Sequence, residues 1–344
     1  MKGRTILLDH IDDVECAALM VDGQLDDLLV DIADAPRPGA IYRGTCDRPI
    51  KGQGGMMLRL PDGETAFLRH GKGLRLGQPL LVQVTGYAED GKAIPVTDRV
   101  LFKSRYAIVT PGKPGANISR QITDDDRRDA LKAIVHEVFD SPHGLILRSS
   151  CAAAEDDDIA EDIAAMVTLA DAVLEDAEGD TPLALTEGDG PHALAWREWT
   201  APTDVITDAG GFADHGVLDQ IARLASPRVA LSDGTMYVEP TRALVAVDVN
   251  TGKDTSPAAA LKANLAAARA LPRALRLRGL AGQISIDFVS ISKAHRRQVE
   301  QSLRAAFKAD PIETSLVGWT TMGLFELQRK RERPPLPPAI LKAI

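Results

Sequence analysis

Two apolar segments that each end in aspartate, separated by a helix-length segment, constrain the fold of this chain more than any other feature. Residues 243–250, ALVAVDVN, form a predicted buried strand that runs to Asp248. Residues 283–288, QISIDF, form a second predicted strand that runs to Asp287. Residues 257–278 between them predict a helix. The order strand, helix, strand predicts a βαβ unit with parallel strands and a right-handed crossover.

The two aspartates are predicted to lie close together. Parallel neighbours end at the same edge of a sheet, and sites in such sheets form at the carboxyl ends of the strands. Side chains alternate along a strand, so Asp248 and Asn250 point to the same side. Asp248 and Asp287 therefore predict a cation site at this edge. The alternative for each aspartate, a turn cap at a strand end, stays open.

The charge of the chain is divided unevenly, and the basic part is the one that contains the two aspartates. The net charge is −9, yet residues 241–344 contain 17 Lys and Arg against 8 Asp and Glu, whereas residues 1–240 contain 23 against 41. A basic surface around a small acidic centre suits a metal-dependent phosphodiester site, because cations gather phosphates while carboxylates hold the metal. An acidic domain beside a basic one, with charges that serve solubility, is the alternative.

The helix between the two strands has a predicted basic ridge. Arg269, Arg273 and Arg276 are spaced by four and three residues, which places them on one helix face as candidate RNA-binding residues. Pro272 lies in the same segment and is predicted to kink or divide the helix. Lys253, just beyond the first strand end, is a candidate phosphate contact, with a solvated lysine as the alternative.

The first two thirds of the chain predict a barrel and an acidic helix. Residues 39–99 contain five short strands separated by Gly, Pro and Asp turns, which predicts a small barrel. Between Arg148 and Arg197 there is no Lys or Arg, while 13 Asp and Glu fall between Glu155 and Asp189. A helix with a solvated acidic face accounts for this segment; a nucleic-acid mimic or a partner-binding surface is the alternative.

The cysteine and hydropathy patterns indicate the cellular compartment of the protein. The three cysteines, Cys16, Cys46 and Cys151, are widely separated, without a CxxC pair or a histidine at ligand spacing, so we expect free thiols and no structural zinc. The N-terminus lacks the apolar segment of a signal peptide, and no run of about 18 apolar residues is long enough to span a membrane. These patterns predict a cytoplasmic globular protein that does not associate with membranes.

Three segments of the basic part resemble the catalytic region of the ribonuclease E/G family. They are VDVNTG at residues 247–252, NLAAARALPRALRLRGLAGQISIDF at residues 264–288 and GLFELQRKR at residues 323–331. The earlier chain shows a weaker resemblance. GAIYRG, residues 39–44, resembles the opening of the family's inserted OB-fold RNA-binding domain. ANISRQI and GLILRSS, residues 116–122 and 144–150, resemble its sensor for a 5′-monophosphate.

The resemblance implies a mixed α/β, α+β multidomain fold with four parts. These are a trimmed RNase H-like split subdomain at residues 1–38 plus about 180–240, an OB-fold barrel at residues 39–99, a 5′-sensor-like region with the acidic helix at residues 100–179, and a DNase I-like α/β catalytic subdomain at residues 241–344. The cysteine-containing zinc link that joins subunits in the family is missing after Cys151. A zinc-linked tetramer is therefore not expected, while a homodimer through other contacts stays open.

The resemblance also implies roles for the residues at the two strand ends. Asp248 and Asp287 match the family's two metal-binding aspartates, and Asn250 matches the asparagine that orients the site. The implied cofactor is Mg²⁺, with Mn²⁺ as a substitute, and oxygen ligands suit an ion that needs only one or two carboxylates. The implied chemistry is attack of activated water on an RNA phosphodiester, which leaves a 5′-phosphate.

Residues of the earlier domains receive binding roles from the same resemblance. Phe67 matches an aromatic residue that stacks on a base, and Lys92 matches a basic contact. Met57 stands at a neighbouring position that is aromatic in the family. For Phe67, a place in the barrel core is the alternative. The phosphate sensor would comprise Ile108, Arg120, Arg148 and Ser149, since the arginine fork binds phosphate oxygens in pairs.

Together these patterns predict a Mg²⁺-dependent endoribonuclease of the ribonuclease E/G type that cleaves single-stranded RNA in RNA processing or decay. The first alternative is a non-catalytic RNA-binding or regulatory relative, which the missing zinc link and Met57 favour and the retained strand-end residues oppose. The second alternative is a metal-dependent phosphohydrolase of small molecules, which would use the carboxylates but need neither the barrel nor the arginines.

Overall fold

The computed structural model describes residues 2–33, 35–50, 52, 54–89 and 91–344. These residues form two compact units. The first unit combines the chain up to Ile32 with Thr203–Ile344, and the second comprises Ala33–Pro202. The two predicted strand ends lie in the first unit, whereas the barrel and the predicted phosphate sensor lie in the second.

The first unit begins with a three-stranded antiparallel meander. Its strands are β1 (Arg4–Ile11), β2 (Val14–Val21) and β3 (Gln24–Val30). Each turn contains an aspartate in the left-handed region, Asp12 at φ 50° and Asp22 at φ 47°, which aspartate tolerates better than most residues. The resulting register aligns Leu7, Ala18 and Leu28 across the three strands in one buried cluster.

Five strands of the second unit close into a barrel. They are β4 (Ile41–Ile50), β5 (Gly55–Arg59), β6 (Thr65–Leu68), β7 (Pro79–Val84) and β8 (Ile94–Thr97). Strand β4 pairs with both β5 and β7, which closes the order β4-β5-β6-β8-β7 on itself. Alternate side chains such as Met56, Leu58 and Leu68 fill the interior. The structure therefore confirms the predicted barrel and its five strands.

A separate sheet of the second unit has the strand order β11-β12-β10-β9. Its strands are β9 (Phe102–Lys103), β10 (Ala107–Thr110), β11 (Gly115–Ile118) and β12 (Gly144–Leu147), and its helices are α1 (Asp125–Val138) and α2 (Asp156–Asp176). Helix α2 is the predicted acidic helix. It buries Ile159, Ile163, Ala170 and Val173 and leaves most of its acids exposed, as expected for an amphipathic surface helix.

The end of the second unit returns to the barrel before the chain re-enters the first unit. Strand β13 (Leu183–Thr186) pairs antiparallel with β4, and helix α3 (Pro191–Glu198) follows. The sequence predicts that the split subdomain resumes near residue 180. In the structure, β13 adds to the barrel sheet instead. The sequence could not show this, because the short segment could add to the edge of either sheet.

The chain rejoins the first unit at strand β14 (Asp204–Ile206), which pairs parallel with β1. Helices α4 (Gly211–Asp214) and α5 (Val217–Ala222) then cover the meander and bury Phe212 and Ile221 against it. Two distant segments thus build one layer, in agreement with a split arrangement. The RNase H-like and DNase I-like assignments of its parts stay predictions.

A six-stranded mixed sheet forms the rest of the first unit, in the order β15-β16-β17-β18-β20-β19. Its strands are β15 (Arg228–Leu231), β16 (Gly234–Pro240), β17 (Val245–Asn250), β18 (Gly282–Asp287), β19 (Thr314–Trp319) and β20 (Phe325–Arg329). The helices are α6 (Pro257–Leu277), α7 (Lys293–Ala309) and α8 (Pro338–Ala343). Strand side chains and residues of α6 and α7 share one large buried cluster.

Helix α6 begins soon after β17 with a well-capped first turn. The Ser256 hydroxyl accepts a hydrogen bond from the Ala259 amide at 3.2 Å, and Pro257 occupies the first turn, where its missing N–H costs nothing. The helix is continuous through Pro272, so the proline does not divide it.

In the part of the chain that the structure describes, no helix has both the length and the apolar surface needed to cross a bilayer.

Candidate active site

The predicted βαβ unit is present, and it brings the two aspartates side by side. Strands β17 and β18 are parallel neighbours, and Asp248 lies directly opposite Asp287 in their register. Neighbouring strands are about 4.8 Å apart. Both carboxylates are exposed and lie at the carboxyl end of the strands. The predicted proximity of Asp248 and Asp287 is therefore confirmed.

Strand alternation places the two carboxylates on the side of the sheet away from the helices. Val245, Val247 and Val249 point into the cluster shared with α6 and α7, so Asp248 and Asn250 point to the opposite side. We call this side the open face. On β17 and β18 it comprises Ala246, Asp248, Asn250, Gln283, Ser285 and Asp287. A ligand can approach the carboxylates here without displacing core residues.

Asn250 orients Asp248. Its side-chain nitrogen Nδ2 donates a hydrogen bond to Oδ2 of Asp248 at 2.6 Å. A hydrogen bond to a carboxylate is stronger than one between neutral groups, and it restricts the rotation of the carboxylate about its bond to the chain. The i,i+2 spacing on a strand is what allows this contact, because both side chains leave the same face. This arrangement agrees with an orienting role for Asn250.

The donor set suits a hard divalent cation. Asp248 and Asp287 offer carboxylate oxygens, and no sulfur or imidazole ligand lies among the open-face residues named above. Among the described residues no group of three or more His, Cys, Asp or Glu converges as a metal centre. Mg²⁺ is held in many enzymes by only one or two carboxylates plus waters and substrate phosphate. The residues at this edge fit that pattern.

The predicted basic ridge on α6 differs from the observed arrangement. Only Arg269 is exposed. Arg273 donates from Nε to the Leu25 carbonyl at 2.7 Å, and Arg276 is only 7% exposed. Arg276 is therefore a structural residue that holds α6 against β3, and its assignment as an RNA-binding residue is wrong. For Arg269 and for the half-buried Arg273 that assignment stays a prediction.

The burial of Arg276 depends on acidic partners from two other segments. Its guanidinium pairs with Asp26 at 3.0 Å and with Asp27 at 3.4 Å, and it also contacts Asp310. Asp310 in turn pairs with Arg329 at 2.7 Å, and both of these side chains are fully buried. Helical spacing alone cannot reveal such counterions. The ridge is predicted from the spacing of residues on an isolated helix. In the folded protein, ion pairs with other segments bury the part of the helix face that carries Arg276.

In the barrel, Phe67 lies outside the core. It is half-buried on β6, opposite Met57 on β5, and its ring covers the backbone of Gly55, where an added Cβ would come within 2.3 Å of the ring. The buried barrel cluster does not include Phe67. A ring supported on one side and partly exposed on the other suits base stacking. Lys92 is exposed and pairs with Glu89 at 3.0 Å.

The four predicted sensor residues lie at one edge of the sheet with the strand order β11-β12-β10-β9. Strands β11 and β12 are parallel, so Arg120 and the Arg148–Ser149 pair both follow carboxyl ends of neighbouring strands. Ile108 on β10 lies opposite Ile146, one residue from the end of β12. Arg120 and Ser149 are exposed. The geometry therefore brings the four residues together, and their role as a sensor stays a prediction.

Arg148 already has an acidic partner. Its Nη2 donates to Oε2 of Glu198 at 2.6 Å, while its Nη1 donates to the Ser104 carbonyl at 2.6 Å. Arg197 donates from Nε to the other oxygen of Glu198 at 2.7 Å. Burial alone would raise the pKa of Glu198, but the charges and hydrogen bonds of Arg148 and Arg197 outweigh it and lower that pKa. Glu198 is thus held ionised beside Arg148 and Arg197.

Sequence reasoning missed Glu198, and it missed Tyr237 beside the carboxylates. Glu198 contacts a residue 50 positions away, so no local pattern marks it. The position of Tyr237 could have been predicted from the sequence. The hairpin of β16 and β17 pairs Pro240 with Val245, and counting back from that turn pairs Tyr237 with Asp248. Hairpin register is set by the turn, which the sequence displays.

Comparison with known proteins agrees with this site. The sequence pattern of the Ribonuclease E/G family matches residues 102–208 and 197–332, which together make up more than half of the chain. Ribonuclease G of Salmonella typhimurium (strain SL1344) is 30% identical over 304 residues, and ribonuclease G of Escherichia coli (strain K12) is 29% identical over 304 residues. Each of these matches covers 76% of this chain and 61% of the relative.

Ribonuclease E of Nostoc sp. (strain PCC 7120) is a third relative. It is 26% identical over 375 residues, which cover 92% of this chain and 54% of the relative. The chain thus spans between one half and two thirds of the length of these relatives. The family pattern runs through β17, α6, β18 and β20, where the two carboxylates lie. This chain belongs to the ribonuclease E/G family.

Proposed function

We propose that this protein is a Mg²⁺-dependent endoribonuclease that cleaves single-stranded RNA in RNA processing or decay and leaves a 5′-phosphate. The observation that carries the proposal is the in-register pair Asp248 and Asp287 on the open face, with Asn250 bonded to Asp248, in a member of this family. Relatives named ribonuclease G and ribonuclease E support RNA as the substrate.

Each residue at the strand ends has a distinct part. Asp248 and Asp287 would hold Mg²⁺ through carboxylate oxygens, and Asn250 keeps Asp248 in position for this. The chemistry that the ion supplies is Lewis-acid activation, which eases proton removal from water and offsets the charge that builds on the phosphate. Lys253 is exposed in the loop after β17 and adds positive charge beside this edge.

The barrel supplies a surface for single-stranded RNA. Stacking on aromatic rings is tolerant of sequence because every base has a flat face, and five-stranded barrels of this kind bind single strands in this way. Phe67, supported by Gly55 and flanked by Met57, is the candidate ring.

The test is a cleavage assay with a short single-stranded RNA, its double-stranded form and a pool of mononucleotides, each with Mg²⁺, with Mn²⁺ or with EDTA. We expect internal cuts in the single strand only, dependence on the divalent ion, and a 5′-phosphate on the downstream product. Binding without cutting in any ion would favour the non-catalytic alternative. Turnover of the mononucleotide pool would favour the small-molecule phosphohydrolase.

Replacement of Phe67 by alanine is expected to weaken RNA binding. The lost stacking is worth about 1–3 kcal/mol per base, so the Kd for a single-stranded ten-nucleotide RNA should rise by about 5- to 150-fold. Fluorescence anisotropy measures this change. Phe67→Tyr keeps the ring and is the matched control, expected to bind like the wild type. Equal binding by Phe67→Ala and wild type would remove Phe67 from the RNA surface.

Replacement of Glu198 by glutamine is expected to make cleavage more sensitive to the 5′ end. In the wild type, Arg148 is paired with Glu198, so a 5′-monophosphate must compete with an ionised carboxylate. Glu198→Gln removes that charge and should raise the ratio of cleavage rates between 5′-monophosphorylated and 5′-hydroxyl RNA by several-fold. Rates on the two RNAs under single-turnover conditions measure it.

The control for this change is Glu175→Gln, which removes one exposed negative charge from the same unit without touching Arg148. It should leave the rate ratio unchanged. If Glu198→Gln also leaves the ratio unchanged, then Arg148, Arg120, Ser149 and Ile108 do not form a phosphate sensor in this protein.

A further inference from the structure

Four side chains of the first unit line up in one row across the open face. In the sheet register Arg228 of β15 lies opposite Tyr237 of β16, Tyr237 lies opposite Asp248 of β17, and Asp248 lies opposite Asp287 of β18. Paired residues of neighbouring strands point to the same side. Arg228 and Tyr237 therefore extend the row of carboxylates by two strands.

Among the residues of β15–β20, Tyr237 is the only aromatic residue on the open face. The other aromatic side chains in β15–β20, Trp319 and Phe325, pack into the core on the opposite side of the sheet. Tyr237 is half-buried, and among the described residues its hydroxyl has no hydrogen-bond partner and its ring has no aromatic partner. Directly opposite residues in an antiparallel pair have Cβ atoms about 4.5–5.5 Å apart, so its ring lies beside the Asp248 carboxylate.

Arg228 supplies the charge that an RNA strand needs at this end of the row. It is exposed, and its guanidinium makes no ion pair with any described residue. The far end of the row is different, because Glu326 of β20 lies opposite Ser285, next to Asp287 on the same face. Glu239 also lies on the open face, two residues from Tyr237 towards the hairpin turn. Phosphate is therefore attracted at the β15 end of the row and repelled at the β20 end.

From this row we infer that Tyr237 and Arg228 form an RNA subsite next to the carboxylates, a deepening that rests on the proposed function. The base next to the cleaved bond stacks on the Tyr237 ring, and Arg228 binds the following phosphate. Strand spacing puts Arg228 about 10 Å from Asp248, within reach of a phosphate one or two nucleotides away. The subsite fixes the direction in which the RNA leaves the two carboxylates, from β17 towards β15.

The test measures Kd for a fluorescent ten-nucleotide single-stranded RNA in the presence of EDTA, so that binding is read without cleavage. Tyr237→Ala should raise Kd by about 5- to 150-fold, whereas Tyr237→Phe and Tyr237→Trp should bind like the wild type, because they keep a ring. A set of the same RNA with one abasic site at each position in turn identifies the stacked base. At one position the missing base should weaken binding to the wild type but not to Tyr237→Ala.

Arg228→Ala should lower the slope of log Kd against log salt concentration by about 0.7, the value for one phosphate contact to a single strand. Arg242→Ala is its matched control, since Arg242 is an exposed arginine at the hairpin turn, at the opposite end of β17 from Asp248. It should leave the slope unchanged.

The inference is overturned if Tyr237→Phe is as damaging as Tyr237→Ala, or if no abasic position loses its effect in Tyr237→Ala. Should Tyr237→Ala fold poorly, Tyr237→Leu, which keeps an apolar side chain without a ring, replaces it in the abasic series. These outcomes are distinct from failure of the proposed function, which shows as an absence of cutting with Mg²⁺ or Mn²⁺ whatever residue stands at position 237.

Discussion

Asp287→Asn is expected to abolish Mg²⁺-dependent cleavage of single-stranded RNA while leaving RNA binding intact. The substitution keeps the shape of the side chain and removes one of the two negative charges that face each other across β17 and β18. A catalytic metal contributes several kcal/mol to stabilisation of the transition state, and each 1.36 kcal/mol is a factor of ten, so the rate should fall by at least about 10³-fold. Asp248→Asn should lose a similar factor.

The measurement combines single-turnover cleavage rates with the Kd for the same RNA in EDTA and with calorimetric titration of Mg²⁺. Both variants should bind RNA like the wild type and bind Mg²⁺ more weakly. Glu239→Gln is the control, because it removes one exposed carboxylate from the same face of the sheet. Glu239 lies next to the turn of the β16–β17 hairpin, away from Asp248. A variant of Asp248 or Asp287 that cuts at the wild-type rate would mean that the two aspartates are turn caps.

Asp310→Ala is expected to destabilise the first unit by about 3–5 kcal/mol. Asp310 lies between the guanidinium groups of Arg276 and Arg329, and all three side chains are buried. Burial lowers the pKa of Arg329, and Asp310 acts against this shift. Removal of the aspartate leaves a buried positive charge without its partner, which costs far more than the net value of the intact pair. The neighbouring pairs of Arg276 with Asp26 and Asp27 cannot replace it for Arg329.

Hydrogen exchange of the amides in β18 and β20 measures this effect within the first unit alone, as the free energy of opening of those strands. The matched control is Glu300→Ala on α7, which removes an exposed carboxylate that pairs with Arg304 four residues away at 3.1 Å. Such a surface pair contributes about 0.5 kcal/mol or less. A loss below about 1 kcal/mol for Asp310→Ala would show that Arg329 finds other compensation.

The three cysteines are free thiols in buried positions. Burial raises the pKa of Cys16 to about 12 and that of Cys151 to about 11. A thiol with so high a pKa is protonated at neutral pH and reacts slowly. Cys16, Cys46 and Cys151 therefore act as small apolar residues of their cores.

Local sequence determined the βαβ unit, the barrel strands and the placement of Asp248, Asn250 and Asp287. These features depend on short-range rules: apolar runs form strands, side chains alternate on them, and parallel neighbours end at the same edge. The same rules identify the acidic helix α2, whose buried residues recur at helical spacing. For these features, residues close in sequence carry all the information that is needed.

Only the tertiary structure decided which charged residues are free to bind a ligand. Arg276 on its own helix looks like Arg269, yet it meets Asp26, Asp27 and Asp310 from segments far away in the chain, and Arg148 meets Glu198 in the same way. A charge can be buried only where opposite charges and hydrogen bonds compensate its lost hydration, and those partners come together only when the chain folds. Arg228 likewise joins the row of Tyr237, Asp248 and Asp287 only because β15 pairs with β16 in the folded sheet.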